Sequence, residues 1–459
     1  MIHKTIFRTL LIAAATAVTS SCTFEQEDFF DESASLRITH TNQKIQNRLV
    51  EQSASNHYGW VIQYFVGGTD EWQGPGFNLL GRFSDNGSVT LASNHRYLRN
   101  GQANKYTEAT SIYEMLAEEG PVLSFNTWND VLTVLADPVD PTQAPNSLIN
   151  DGEGMNGDYN FVLKALNDED IIFRGERHSA PIRFVPCDRP WEDYLADTDA
   201  LKAYITSTLI QNYYVVNETA DTLYFSYLRE GSKGLRNGRF YYCERLDDPL
   251  SVTEVACVFT PQGFRTETQQ TFGDNVFQEF TLSEDSTCLV NENGTVKVMA
   301  IWDTYIADFT NHPALWKLDA EYFTAEQQAL YEQIGAELKK YSSNYDIEGL
   351  YLGQSTAGNK VTGLIVRFYT NARHTNVNTA GIELNIQRTA FGQMAVNYSA
   401  DSTIDQNMKA IGGKTNLEES SRQFAATLGG VYNMVPNNYF LPTGGVFTPT
   451  EGGTAFKLD

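Results

Sequence analysis

The chain is poor in cations, histidine and cysteine, and each scarcity removes a class of function. Lysine and arginine total 33 against 57 acidic residues, for a formal net charge of −24. A surface of that sign repels phosphate backbones and anionic headgroups, so nucleic acid is not an expected partner. Histidine occurs seven times. Beyond His3, the residues His40, His57, His95, His178, His312 and His374 stand far apart, and nothing local supplies even two zinc ligands. They are read as solvated or core-edge side chains. There is no Cys-x-x-Cys, no H-E-x-x-H, no G-x-S-x-G, no phosphate-binding glycine loop and no dinucleotide fingerprint. No cofactor and no metal are therefore expected. After the N-terminal segment, no apolar run approaches the roughly 18 residues of a membrane-spanning helix.

What is present begins at the N-terminus. Lys4 and Arg8 supply a positive n-region, and Leu10 to Val18 an apolar run too short to span a bilayer. Val18-Thr19-Ser20-Ser21-Cys22 resembles a bacterial lipobox, in which the cysteine is acylated and becomes the mature N-terminus; Thr19 stands where leucine is usual. Thr23-Phe24-Glu25-Gln26-Glu27-Asp28 resembles the acidic signal that sends Bacteroidetes lipoproteins to the outer face of the outer membrane. The expected location is the outer membrane, lipid-anchored through Cys22 and facing the exterior. A multiply acylated cysteine gives the durable attachment that one chain does not.

Hydrophobic residues make up 41% of the chain, with 26 Phe, 24 Tyr and 6 Trp, enough for real cores. A polar stretch over 35–52, with Leu36, Ile45 and Leu49, predicts a short amphipathic helix. Alternation then takes over. Strands are expected over 59–66, 77–83, 122–125, 131–135, 159–166, 171–174 and 182–185, with an Asn86-Gly87 hairpin turn before Val89 and Leu91. A second helix is predicted over 200–211, followed by strands at 223–228, 239–244, 255–259, 276–282 and 295–301. Thr324 and Gln327 form a capping box before Leu330, Ile334 and Leu338. Further strands are expected at 350–352, 363–369, 381–388 and 394–398, and Asn416 with Glu419 is read as capping a last helix that ends near Gly429-Gly430. The fold class is mainly β with a few helices, in consecutive antiparallel meander or barrel-like domains. The expected division is a signal peptide over 1–21, an acidic lipidated tether over 22–34, a β-meander domain over 35–190, a central β domain over 191–318 and a helix-plus-β domain over 319–459.

Candidate site residues are few. Trp72 lies in the glycine-rich segment 67–76 with no evident core to join, so its flat face is the leading binding candidate. Folding back over a barrel mouth is the equal alternative. Trp128 and Tyr439-Phe440 are weaker candidates, for which core packing is favoured. Cys243 and Cys257 flank the turn-like Asp247-Asp248-Pro249 and could face each other across a hairpin as a disulfide, although free buried cysteines are commoner. Asp151-Gly152-Glu153-Gly154-Met155-Asn156-Gly157-Asp158 offers oxygen ligands for calcium, but Met155 interrupts the set and no glutamate closes it, so a solvated acidic loop is favoured. Asp221-Thr222-Leu223, Asp285-Ser286-Thr287 and Asp401-Ser402-Thr403 resemble a three-residue O-glycosylation signal that chance alone would also produce.

A wider resemblance rests on several segments in order. Phe30-Asp31-Glu32-Ser33-Ala34-Ser35-Leu36-Arg37, Tyr58-Gly59-Trp60, Gly120-Pro121-Val122-Leu123-Ser124-Phe125-Asn126, Gly157-Asp158-Tyr159-Asn160-Phe161-Val162 and Phe184-Val185-Pro186 are similar to a family of Bacteroidetes lipoproteins, the domain-of-unknown-function 4302 family. The match is good to about Pro190 and looser beyond. The resemblance implies an accessory of SusC/SusD-like outer-membrane importers in nutrient uptake, and supplies no catalytic residues. The leading expectation is a non-enzymatic surface lipoprotein that binds an importer, another surface lipoprotein, or an unidentified glycan or peptide. The alternative is a surface hydrolase acting on glycan or peptide with paired carboxylates.

Overall fold

The computed structural model describes residues 32–66, 76–136, 157–206, 212–218, 222–228, 239–243, 253–307 and 315–459. Cys22, Trp72, Asp151–Asn156, Asp221 and His312 lie outside these residues.

A first helix, α1 (Ala34–Asn56), is capped by the Ser33 side chain, which accepts a hydrogen bond from the Leu36 amide at 3.3 Å. Nine antiparallel strands follow: β1 (Trp60–Phe65), β2 (Gly76–Phe83), β3 (Ser88–Ser93), β4 (Thr107–Ile112), β5 (Glu114–Ala117), β6 (Pro121–Ser124), β7 (Asn160–Leu166), β8 (Ile171–Gly175) and β9 (Pro181–Pro186). Their spatial order is β4-β3-β2-β1-β9-β8-β7-β6-β5. Only Tyr113 separates β4 from β5, yet these are the two edges of the sheet. The sheet must therefore curl until its edges meet at that corner. The concave face holds α1. Ile45 and Leu49 are buried against Trp60, whose indole N–H donates to Leu49 O at 3.1 Å. Ser53 Oγ receives the Phe83 amide at 2.9 Å, tying the helix to β2.

The convex face is covered as well. The second helix, α2 (Trp191–Ile205), sets Trp191, Tyr194 and Leu195 on Val61, Leu80 and Ala92. It starts nine residues earlier than the sequence predicts, with Pro190 as N-cap and Glu192 and Asp193 in the first turn, where carboxylates favour the helix dipole. Cover on both faces explains why all six residues of β1 are buried, where alternation alone suggests a half-buried strand.

Eight further strands form a closed antiparallel barrel: β10 (Asn212–Asn217), β11 (Thr222–Leu228), β12 (Arg239–Cys243), β13 (Thr253–Phe259), β14 (Gly263–Phe272), β15 (Asn275–Leu282), β16 (Leu289–Asn291) and β17 (Val296–Ala300). β10 closes on β17 with Tyr213 opposite Ala300. Val255, Cys257, Phe259, Phe264, Phe277 and Phe280 belong to a core that continues into the C-terminal region. There a four-stranded and a five-stranded antiparallel sheet pack with the helices Ala325–Tyr341 and Leu417–Thr427. The chain is thus mainly β, as its alternation predicts.

The Thr324 capping box is present, with both reciprocal hydrogen bonds. Two other local expectations are corrected. The 131–135 segment is a 3-10 turn rather than a strand, because Asn129 Oδ1 accepts the amides of Val131 and Leu132 and turns the chain there. The side chain of Asn416 makes no capping bond; Thr415 Oγ1 takes the Leu417 amide instead.

Candidate functional site

The convex face of the first sheet and the outer wall of the barrel meet through a narrow apolar contact. Phe65 packs on Ala256 and Val258. Gly76 makes the approach possible: a β-carbon there would stand 2.7 Å from Val258 Cβ and 3.0 Å from Cys257 O. Asn78, two residues along β2 and on the same face, donates its amide N–H to Phe259 O at 2.7 Å. An ionic group lies on the same seam. Arg183 of β9 bonds Asp170 at 2.6 Å and also Glu279 of β15, which Arg265 of β14 approaches at 3.2 Å. Burial, with Arg183 beside it, pushes the Arg265 guanidinium down to about 10. Burial works against the Asp170 carboxylate, but hydrogen bonds from Asn167 and Arg183 outweigh it and hold its pKa below the usual range.

Where this seam meets α2 there is a cavity of about 160 Å³. Asn78, Ser93, Asn94, His95, Thr198 and Asp199 are among its lining residues, and Phe259 closes the barrel side. Ser93 Oγ donates to Asn78 O at 2.9 Å, which fixes the β2–β3 end. His95 is buried and its Nε2 contacts Val131 O at 2.9 Å; a carbonyl only accepts, so Nε2 carries a proton. Asn94 donates to the Asp199 carboxylate at 2.6 Å, and the Lys202 ammonium sits 5.7 Å from the centroid of the Phe259 ring. The Asn78 amide oxygen is buried and finds no hydrogen-bond donor among the described residues, and the same holds for the side-chain oxygen of Gln63, its cross-strand partner. The arrangement offers amide and hydroxyl groups, with the cations Arg96 and Lys202 each set against an aromatic ring, on a frame tied by hydrogen bonds, which is a binding geometry.

The residues singled out in the sequence do not converge on this cavity. Trp128 is 49% exposed rather than packed in a core, with its indole N–H on Asp130 at 2.6 Å and the Arg99 guanidinium 5.7 Å from the ring. Tyr439 is half-buried edge-on to Trp302 at 5.8 Å, and Phe440 is fully buried, so that pair belongs to packing. Cys243 stands opposite Tyr224, whereas Cys257 stands opposite Thr266. The β12–β13 ladder pairs Arg239 with Ala256, so the two cysteines lie toward opposite ends of it. They are about five residues, or ~16 Å, apart along the strands. A disulfide needs α-carbons within about 7 Å, and this register does not provide that.

Asp158, the last residue of the acidic segment, is buried and directed at the protein. Its carboxylate accepts the Arg177 amide at 2.9 Å and the His178 amide at 3.1 Å, while its own amide and carbonyl both engage the Tyr64 hydroxyl. Asp285 is likewise occupied in its own turn, accepting from Ser283 and Thr287. Asp401 is exposed and Ser402 half-buried in a surface turn. Among the described residues no group of three or more His, Cys, Asp or Glu side chains is placed to hold a metal ion, and no helix is long and apolar enough to cross a membrane. Sequence reasoning missed Asn78 and Asp199, and read His95 only as a solvated or core-edge side chain. The signal that could have found Asn78 is a polar residue within the apolar run Phe77-Asn78-Leu79-Leu80.

A family model described as domain of unknown function, DUF4302, matches residues 26–284, more than half of the chain. The match takes in the whole first sheet, α2 and the barrel through β15, and stops two strands before the barrel closes. No curated protein matches the chain.

Proposed function

We propose, for a chain that belongs to the DUF4302 family, a role as a lipid-anchored outer-membrane surface protein that binds a ligand or partner in a nutrient-uptake complex without catalysing a reaction. The observation that carries the binding reading is the cavity between the first sheet, α2 and the barrel. Its polar side chains are held by interactions with the protein, as a preorganised site requires. Anchoring is supported by Lys4, Arg8, the short apolar run and Cys22, and exterior placement by the acidic residues Glu25, Glu27 and Asp28. A SusC/SusD-like importer is the proposed partner. The net charge of −24 favours an anchor that inserts by acyl chains over one that relies on anionic headgroups.

The experiment is isolation of the protein from its native membrane in mild detergent. The expected result is co-purification of an importer subunit with an acylated protein, and loss of both acylation and membrane partition in Cys22→Ala. Recovery of the protein alone, or a Cys22→Ala protein that still partitions into the membrane with unchanged mobility, overturns the proposal. Replacing Glu25, Glu27 and Asp28 with alanine should keep the lipid and reduce accessibility to added protease.

A further inference from the structure

We infer that the cavity between β2, the end of β3, α2 and β13 takes a small, uncharged, hydroxyl-rich molecule of about the bulk of one hexose. The inference deepens the ligand-binding reading above and rests on it. Three observations point to this class. The first is size: about 160 Å³ holds on the order of ten water positions at ~10–15 Å³ each, too little for a peptide and enough for one sugar ring. The second is the Asn78 side chain, 9% exposed, whose amide nitrogen is committed to Phe259 O while its oxygen accepts nothing among the described residues. A buried acceptor without a donor is costly, and a ligand hydroxyl would relieve that cost. A carboxylate or a phosphodiester has no hydrogen to give it.

The third is charge. The Asp199 carboxylate is held by Asn94, the Lys202 ammonium rests against the Phe259 ring, and the Arg96 guanidinium lies 5.0 Å from the centroid of the Tyr97 ring. Each charged group is already engaged by the protein, so an ionic ligand would have to displace an existing contact. A hydroxyl group donates and accepts in turn, and so suits a wall that presents an amide oxygen at Asn78 beside the hydroxyls of Ser93 and Thr198.

The test is calorimetric titration of the full-length protein in mild detergent with methyl glucoside, methyl galactoside, methyl mannoside and N-acetylglucosamine. Inorganic phosphate and ethanolamine serve as charged probes. At least one sugar should bind saturably and neither charged probe should. Asn78→Leu should weaken that sugar by about tenfold or more, the loss expected for one buried hydrogen bond. Because Asn78 also ties the sheet to the barrel, Thr198→Leu provides a second variant. It fills the cavity from α2, where the threonine hydroxyl only bonds back to Tyr194 O at 2.8 Å, and it should abolish binding with the fold intact by circular dichroism. Saturable binding of phosphate or ethanolamine instead, no binding of any sugar, or sugar binding unchanged in Thr198→Leu overturns the inference. Failure here with importer co-purification intact strikes only the ligand class. Sugar binding by a protein that is never acylated strikes only the anchoring.

Discussion

Replacing Asp158 separates two uses of a buried carboxylate, as a metal ligand and as a cap for the backbone. The side chain accepts the Arg177 and His178 amides and lies against Gly175, where a β-carbon would stand 1.9 Å from its Oδ2. Asp158→Ala leaves two partly buried N–H groups without an acceptor, at about 1 kcal/mol each, so a loss of about 2 kcal/mol is expected. Asp158→Asn keeps Oδ1, which both amides can reach, at 2.9 and 3.3 Å. It should therefore fall within about 0.5–1 kcal/mol of wild type. Burial raises the pKa of Asp158, against a smaller opposing effect of those two amides. The sign follows. Between the unfolded value near ~3.9 and the higher folded value, the folded state holds a proton that the unfolded state has released. Wild type should thus gain on Asp158→Asn as pH is lowered from neutrality through that window. The assay is urea unfolding of the three proteins across pH, comparing midpoints at constant m. An Asn variant as damaged as the Ala variant would refute the capping argument. Calcium that raises the midpoint of wild type and not of Asp158→Asn would restore the oxygen-cage reading of the acidic segment.

Trp191→Ala should cost about 3–5 kcal/mol, since the ring is buried under the Arg82 guanidinium at 4.3 Å and its indole N–H bonds Tyr58 O at 2.6 Å. Trp128→Ala should change stability by less than about 1 kcal/mol, because half of its ring already meets solvent; chemical denaturation distinguishes the two, and equal losses would refute the assignment of Trp128 to the surface. Gly76→Ala should destabilise by about 1–3 kcal/mol by forcing β2 away from β13. Hydrogen exchange should then quicken in both strands, while Gly120→Ala, with nothing near the added carbon, leaves exchange unchanged.

The parts of this fold that could be read in advance are those whose cause is local. A capping box, an Asn-Gly turn at a positive φ and a period of four at Leu330, Ile334 and Leu338 each act within one turn of chain, and each is present. β4 and β14, by contrast, carry Thr107-Glu108-Ala109-Thr110-Ser111-Ile112 and a polar run after Phe264; they are strands because neighbours pair with them, which no local pattern records. The same reasoning explains β1. Its residues alternate no more clearly than those of a one-faced strand, and only the helix inside the curl and the helix and barrel outside it make all six buried. Two-sided burial also gives Gln63 and Asn78 their meaning. On a solvent-facing strand they would be ordinary outward polar residues, but here they sit opposite each other under cover, in a place where apolar side chains would pack at lower cost. Asn78 joins the sheet to the barrel through its nitrogen, and under the inference above its oxygen is the acceptor for the ligand hydroxyl.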